Sequence, residues 1–209
     1  MWHAKVTGAY ASSSQEAYDN SVETWNTLGS LGWTLNAVCG MLGSQDWESG
    51  YNPWRLQYDQ VLSITDTQTI ATSRNHGYGL VQFTPAGKYI YASQAQAFPE
   101  YNPNFSDHTG QPTDGIAQLK YINGYADYYP TTAYPLSFSE FKQSTQTPEY
   151  LASAWLHNYE RPLDPSATES DRRASARYWY QVLQGLPPIP PTPTGSNKFK
   201  WWLYLRRRF

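Results

Sequence analysis

Helix-start signals recur along this chain and divide it into several short helices. At each signal, a side chain that can accept a hydrogen bond from a free backbone N–H stands before an apolar stretch with helical spacing. Pro85 and Pro148 follow two of these caps at the first helical position, and Glu140 forms the second half of a capping box. The pattern predicts a mainly α-helical body whose last helix ends near Gly185. The predicted caps are Ser14, Thr34, Thr84, Thr113, Ser137 and Thr147.

One region alone has the composition of β-strands. Residues 61–71 are rich in β-branched side chains, and residues 77–83 follow after the turn-forming Ser73–Arg74–Asn75. The strands and helices do not alternate regularly, which argues against a doubly wound nucleotide-binding fold. The predicted fold class is α+β, mainly α-helical with one small β-hairpin lobe inserted after the second helix.

Proline content and charge separate a C-terminal tail from the body. Clustered prolines favour an extended polyproline spacer, and the residues after it carry five basic side chains and no acidic one. We therefore predict a domain at 12–186, a proline-rich linker at 187–196 and a basic-aromatic tail at 197–209.

The composition argues against several classes of protein. A net charge of −2 does not suit a nucleic-acid binder, and no run approaches the ~18 consecutive apolar residues of a membrane-spanning helix. The single cysteine, Cys39, cannot form an internal disulfide, and its apolar neighbours predict a buried thiol. The four histidines are scattered without the spacing of metal ligands, so we expect no metal and no other cofactor.

Aromatic residues are abundant, with 9 Trp, 18 Tyr and 7 Phe among 209 residues. A Tyr or Trp ring offers a flat apolar face with a polar rim, and this chemistry suits the face of a sugar ring. Aromatic side chains also fill hydrophobic cores. We therefore expect most of them to be core residues and a minority to be available for a carbohydrate.

The most informative single residue is Glu48, at the C-terminal end of an apolar helix that stops at Gly50. Apolar surroundings, including Trp47, and the negative end of the helix dipole both disfavour an ionised carboxyl there. A carboxyl that stays protonated near neutral pH is what a general acid needs to protonate a glycosidic oxygen. The alternative interpretation is a solvated glutamate on a helix surface.

The residues around Glu48 resemble a known pair of motifs. Glu-Ser-Gly-Tyr-Asn-Pro at 48–53, followed by Gly-Leu-Val-Gln at 79–82, resembles the motifs of the lysozyme-like lytic transglycosylases. In those enzymes the glutamate is the acid, the neighbouring serine supports it, and the glutamine lines the cleft.

Three segments in order resemble the phage tail lysozyme family more closely. They are Trp-Thr-Leu-Asn-Ala at 33–37, the stretch 77–85, and Asn-Tyr-Glu-Arg-Pro at 158–162, and the resemblance covers most of 33–183. It implies a lysozyme-like α+β fold and a protein that cuts peptidoglycan. The bond cut would be the β-1,4 bond between N-acetylmuramic acid (MurNAc) and N-acetylglucosamine (GlcNAc).

The resemblance also implies a set of site residues, with Glu48 as the catalytic acid. Substrate groups would be held from the hairpin on one side of the cleft and from the segment at 158–162 on the other. The expected substrate-binding residues are Ser49, Tyr78, Gln82, Thr84, Asn158 and Tyr159.

The sequence does not determine which residue is the second catalytic carboxylate beside Glu48. Asp66 has the position that a lysozyme-like β-lobe would use, but Thr65–Asp66–Thr67 is equally an ordinary turn sequence. Glu160 stands beside Arg161, which predicts a structural ion pair. The third transglycosylase motif is normally Tyr–Asn and is reversed at 158–159, so hydrolysis and anhydro-sugar formation both remain open.

The family resemblance implies a location and partners. We expect a tail component of the virion, made in a bacterial cytoplasm, that opens the host wall locally and meets other phage tail proteins. The basic-aromatic tail would suit an anionic membrane surface or an anionic wall polymer. The alternatives to an enzyme are a catalytically inactive lysozyme-fold protein that binds the wall and a purely structural tail protein.

Overall fold

The computed structural model describes residues 1–5, 8–57, 76–103 and 113–185. Its long helices are α1 (Gln15–Ser30), α2 (Leu35–Glu48), α5 (Asp114–Tyr125) and α8 (Glu169–Leu183). The shorter ones are α3 (Gly87–Ile90), α4 (Ser93–Gln96), α6 (Phe138–Gln143) and α7 (Pro148–Trp155). α7 continues into a π-helical turn, Leu156–Glu160, and a 3₁₀ turn at Pro165–Ala167 precedes α8.

Most of the predicted helix starts are confirmed. The side chains of Ser14, Thr34 and Thr147 accept hydrogen bonds from backbone N–H groups at the starts of α1, α2 and α7. Ser137 and Glu140 form the predicted capping box at α6. Each of these caps satisfies a backbone N–H that has no partner within its own helix.

Two predicted caps behave differently. Thr113 precedes α5 but its side chain makes no capping hydrogen bond. The prediction that Thr84 caps a helix with Pro85 at its first position is wrong, because the Thr84–Pro85 peptide bond is cis and α3 begins only at Gly87.

Helix α2 forms the centre of the body and is buried over most of its length, from Ala37 to Gln45. It packs against both α7 and α8. Two glycines allow this close approach: Gly40 lies against the backbone of Leu151 in α7, and Gly43 lies against the backbone carbonyl of Arg172 in α8. As the sequence predicted, Cys39 is buried, and burial raises the pKa of its thiol.

The first residues of the chain pack onto the same body. The Trp2 ring is buried against Gly115 at the start of α5. The backbone N–H of His3 donates to Asn20 Oδ1 at 2.7 Å, and Asn52 Nδ2 donates to the carbonyl of Lys5 at 2.8 Å. The packed body therefore includes residues that precede the predicted domain start at residue 12.

The β-hairpin lobe is not confirmed. Residues 61–71 lie outside the described residues, and so do the predicted linker and tail. The described stretch 77–83 is a loop in which Tyr78 makes isolated antiparallel bridges to Leu56 and Phe83. In the described ranges the elements are helices and turns, and none of those helices is both long and apolar enough to cross a membrane.

The α2–α7 contact leads to a stability prediction. A Cβ atom at position 40 would lie 2.7 Å from Leu151 Cβ and 2.9 Å from the Leu151 carbonyl carbon, so the backbone of α7 would have to move. We expect Gly40→Ala to lower the free energy of unfolding by roughly 1–3 kcal/mol, measured by urea denaturation. Gly124→Ala in α5 is the control, because a Cβ there meets no atom within 4 Å. Equal stability of Gly40→Ala and wild type would contradict the close helix contact.

Candidate active site

A cleft of about 920 Å³ opens between the loop at 81–84, the C-terminal end of α5 and the end of the π-helical turn. Gln82 and Thr84 lie on the first wall, and Tyr121 and Tyr125 lie on the second. A smaller depression of about 330 Å³ adjoins the cleft, shares Glu48 and Gln82 with it, and is bordered by Trp47. Glu48 therefore lies where the two depressions meet.

Glu48 is the last residue of α2, and its side chain is 21% exposed. The chain turns away after it because Gly50 adopts a left-handed conformation with φ of 53°. Glu48 Oε1 accepts a hydrogen bond from Arg172 Nη2 at 2.5 Å, and the Arg172 side chain is buried. The expected apolar surroundings are therefore wrong: Glu48 has a cationic partner, and the Trp47 side chain is 47% exposed.

Arg172 is fixed in place by more than this ion pair. Its Nε donates at 3.1 Å to Oγ1 of Thr168, the residue that immediately precedes α8. Its Nη1 atom is buried and has no hydrogen-bond partner among the described residues. A buried guanidinium needs a nearby negative charge, and Glu48 supplies it.

Glu160 is the second carboxyl on the cleft. It ends the π-helical turn, and Arg161 leaves that turn in a left-handed conformation with φ of 51°. Trp155 Nε1 donates to Glu160 Oε1 at 2.9 Å. Burial raises the pKa of Glu160 well above its ordinary value, and the negative charge of Glu48 adds to this effect while Arg172 opposes it.

The predicted Glu160–Arg161 ion pair is wrong. The guanidinium of Arg161 lies over the Tyr129 ring, 4.6 Å from its centroid. Since an αL residue turns the chain sharply, the two neighbouring side chains leave the turn in different directions. Tyr159, which was expected on the substrate, does line the cleft, and its ring stacks on Trp155 with centroids 4.2 Å apart.

Three of the expected substrate-binding residues are buried in the body instead. Ser49 donates to the carbonyl of Gln45 at 3.2 Å. The Tyr78 hydroxyl donates to Asp114 Oδ2 at 3.0 Å. Asn158 Nδ2 donates to Tyr128 Oη and to the Tyr134 carbonyl. Because all three side chains are fully buried, they support the cleft walls and cannot contact a ligand in the cleft.

Sequence reasoning gave no role to Asp114, the residue after the predicted cap Thr113. This buried carboxylate accepts hydrogen bonds from the hydroxyls of Tyr78 and Tyr89, from Gln118 Nε2 and from the backbone N–H of Asn102. Burial raises its pKa, and the four donors partly offset that effect. The network joins the 77–83 loop to α5, and no local sequence signal distinguishes it from an ordinary acidic first turn.

Gln82 and Thr84 line the cleft as expected, but their polar groups also hold the loop together. Gln82 Nε2 donates to the carbonyls of Arg55 and Gly79 at 3.0 and 3.1 Å, and Gln82 itself has a φ of 46°. Thr84 Oγ1 donates to the Gln82 carbonyl at 2.8 Å. Asp66, the tentative second catalytic residue, lies outside the described residues.

The Gln82 contacts predict a loss of stability when the amide is altered. Gln82→Ala removes two hydrogen bonds, and we expect a loss of about 1–2 kcal/mol in unfolding free energy. Gln82→Glu places a carboxylate oxygen against two carbonyls, so it should be more destabilising at pH 7 than Gln82→Ala. This difference should shrink at pH 4, where the new carboxyl takes up a proton. Urea denaturation at both pH values measures it, and wild-type stability in both variants would show that the amide does not hold the loop.

Comparison with known proteins agrees with the resemblance seen in the motifs. Residues 19–183 match the phage tail lysozyme family. Morphogenesis protein 1 of Bacillus phage B103 is 34% identical over 190 residues, which cover 88% of this chain and 44% of that protein. The chain thus spans less than half the length of this relative. The chain belongs to the phage tail lysozyme family.

Proposed function

We propose that this chain is a muramidase that hydrolyses the β-1,4 bond between MurNAc and GlcNAc in peptidoglycan, with Glu48 as a catalytic carboxyl. One observation carries the proposal: Glu48 and Glu160 both line a single cleft. Enzymes that hydrolyse glycosidic bonds commonly use two carboxyl groups that flank the scissile bond. One donates a proton to the leaving oxygen, and the other activates a water molecule or attacks the sugar as a nucleophile.

The shape of the site suits a polymer. The main cleft and the smaller depression meet at Glu48, so a strand could extend to both sides of the bond that faces this residue. On the cleft wall, the rings of Tyr121 and Tyr125 stack with centroids 5.4 Å apart, and the Tyr125 side chain is 51% exposed. Such rings can contact the apolar faces of sugar residues.

Two basic side chains stand among the three acidic ones that line the cleft, and they can meet the acidic parts of the substrate. Lys88 and Arg161 both line it, and Lys88 Nζ lies 3.8 Å from Asp127 Oδ2. Peptidoglycan carries carboxylates on the peptide stems attached to MurNAc. Exposed cations beside the cleft can pair with those carboxylates without being buried.

The biological setting follows from the family and the relative. A phage tail lysozyme would act at the host cell wall as part of the virion, and the B103 relative is named for morphogenesis. Peptidoglycan and other phage tail proteins are the proposed partners. The domain at 12–186, the linker at 187–196 and the tail at 197–209 remain proposals, with an anionic membrane surface or wall polymer as the partner of the tail.

A second candidate function is a lysozyme-fold protein without catalysis that binds the wall or builds the tail. The name of the relative, morphogenesis protein 1, favours a structural role in the particle. Such a protein would bind purified peptidoglycan, or neither bind nor cut it, whatever residue stands at position 48.

The enzyme proposal predicts the effect of Glu48→Gln. The glutamine still offers an oxygen to Arg172 but no negative charge, so we expect the variant to fold with reduced stability, and it cannot take part in proton transfer. We expect lysis of purified Gram-positive cell walls, followed as loss of turbidity, to fall at least ~100-fold.

A matched control is available among the residues that do not line the cleft. Glu149 in α7 pairs with Arg177 Nε in α8 at 2.5 Å, away from the residues that line the cleft. Glu149→Gln should lyse walls at the wild-type rate. A folded Glu48→Gln protein with more than a tenth of wild-type lysis would refute the role of Glu48, and an inactive wild type would favour the second candidate function.

A further inference from the structure

We propose that a groove between the end of α2 and α8 binds uncharged amino-sugar rings of a glycan strand that continues out of the cleft. This inference rests on the proposed muramidase function, because the cleft holds the part of the strand that is cut. We call this concavity the α2–α8 groove. The residues that line it include Asp46, Trp47, Asp171, Ala174, Ser175 and Tyr178.

The α2–α8 groove has a volume of about 670 Å³ and is built on one face of α8. Its α8 residues are at positions 171, 174, 175 and 178, and this spacing places side chains on the same side of a helix. Asp46 and Trp47, from the last turn of α2, line the groove as well. The groove is therefore formed by regular elements whose positions are fixed by packing.

Trp47 connects this groove to the candidate active site. It lines the α2–α8 groove and also the smaller depression beside the cleft. That depression shares Glu48 and Gln82 with the main cleft. The three concavities thus follow one another, and a strand whose reacting bond faces Glu48 reaches the α2–α8 groove by passing Trp47.

Two aromatic rings in the groove are available to a ligand. The Trp47 side chain is 47% exposed, and among the described residues its ring stacks on no other ring and its Nε1 donates no hydrogen bond. The Tyr178 side chain is 41% exposed and meets the buried Trp179 edge-on, with centroids 5.1 Å apart. An aromatic face held ready in this way suits the apolar face of a sugar ring.

The polar groups of the groove are hydrogen-bond acceptors. Asp46 Oδ1 accepts from Ser12 Oγ at 2.8 Å. Asp171 is exposed in the first turn of α8, and its side chain has no hydrogen bond or ion pair among the described residues. Carboxylates accept hydrogen bonds from hydroxyl and amide groups, which are the donors of an N-acetylated sugar.

The charge of the groove selects an uncharged ligand over an anionic one. Asp46 and Asp171 line it, and no lysine or arginine does so among the described residues. Two carboxylates repel the carboxylates of peptide stems and the phosphates of anionic wall polymers. The sugar rings themselves carry no charge, so they fit this groove, whereas the main cleft contains Lys88 and Arg161.

The floor of the groove is held from below by buried hydrogen bonds. Ser175 Oγ lies 3.3 Å from Tyr51 Oη, and Trp179 Nε1 donates to the same hydroxyl at 2.6 Å. Tyr51 follows Glu48 by three positions and is fully buried. The turn after Glu48 and the α8 face of the groove are therefore fixed relative to each other, as a strand that contacts both requires.

The test is calorimetric titration of the full chain with a GlcNAc hexamer. This probe is uncharged and free of peptide, and because it contains no MurNAc the proposed activity does not cut it. Tyr178 lines the groove but neither the cleft nor the depression. We expect Tyr178→Ala to weaken hexamer binding about 5-fold through loss of the ring, and Tyr178→Phe, which keeps the ring, to bind within about 2-fold of wild type.

A matched control and a second variant accompany this test. Tyr91 is 50% exposed and lines none of the three concavities, so Tyr91→Ala should bind the hexamer like wild type. Asp171→Ala removes an exposed acceptor that supports no other described residue, and it should weaken binding about 3-fold. Urea denaturation confirms that each variant is folded, and Asp171→Ala decides the matter if Tyr178→Ala does not fold.

The length and charge of the ligand provide further readouts. A GlcNAc dimer is too short to occupy the cleft and the groove together, so Tyr178→Ala should reduce the ratio of hexamer affinity to dimer affinity. Binding of the uncharged hexamer should not change between about 50 mM and about 500 mM NaCl. If the Tyr178 and Asp171 variants impair binding only of stem peptides that carry free amines, and do so only at low salt, the groove binds a cationic peptide and the proposal is wrong.

The remaining outcomes separate the groove from the proposed function. A wild type that binds the hexamer through Tyr178 but lyses no cell wall would support the groove and refute the muramidase. A wild type that lyses walls, with folded Tyr178→Ala and Asp171→Ala proteins that bind the hexamer as tightly as wild type, would refute the groove alone. Equal weakening by Tyr91→Ala would also refute it.

Discussion

The buried guanidinium of Arg172 is the constraint on which the rest of the site depends. A charge that is removed from water requires a partner of opposite sign, and leaving it unpaired costs several kcal/mol. Glu48 is that partner, so the end of α2 is held to α8 at the point where the cleft opens. Gly43 allows the contact because the backbone of Arg172 lies where any larger side chain would be. Arg172 pairs with Glu48, and the second carboxyl in the cleft, Glu160, accepts a hydrogen bond from a neutral donor, Trp155 Nε1.

The cleft walls depend on buried polar networks rather than on a regular sheet. Asp114 accepts hydrogen bonds from the 77–83 loop, from α3 and from α5. Asn158 donates a hydrogen bond to the segment that precedes α6. Each network is fully hydrogen-bonded at its centre, which gives a single arrangement of the loops in a low-dielectric interior. The family motifs at 77–85 and 158–162 thus contain two kinds of residue: some line the cleft, and others hold the backbone of those that do.

Much of the helical framework could be predicted from the sequence, because capping and apolar spacing are local properties. The caps at Ser14, Thr34, Ser137 and Thr147 and the buried α2 follow from residues within one or two turns of each other. The surroundings of the site residues could not be predicted in the same way. Arg172 is 124 positions away from Glu48, and Tyr78 meets Asp114 across 36 positions. The π-helical turn that exposes Glu160 to the cleft has no local sequence signal, so an ion pair with Arg161 looked equally reasonable.

The most direct test of the central claim, that this cleft hydrolyses the glycan strand, is mass spectrometry of the fragments released from purified peptidoglycan. The account predicts new reducing MurNAc ends with intact peptide stems, because hydrolysis adds water across the glycosidic bond and leaves the peptide bonds uncut. Anhydro-MurNAc ends would contradict the hydrolytic mechanism while leaving the cut bond the same. Fragments with intact glycan strands and newly cut peptides, or no released fragments at all, would contradict the account of the cleft as a muramidase.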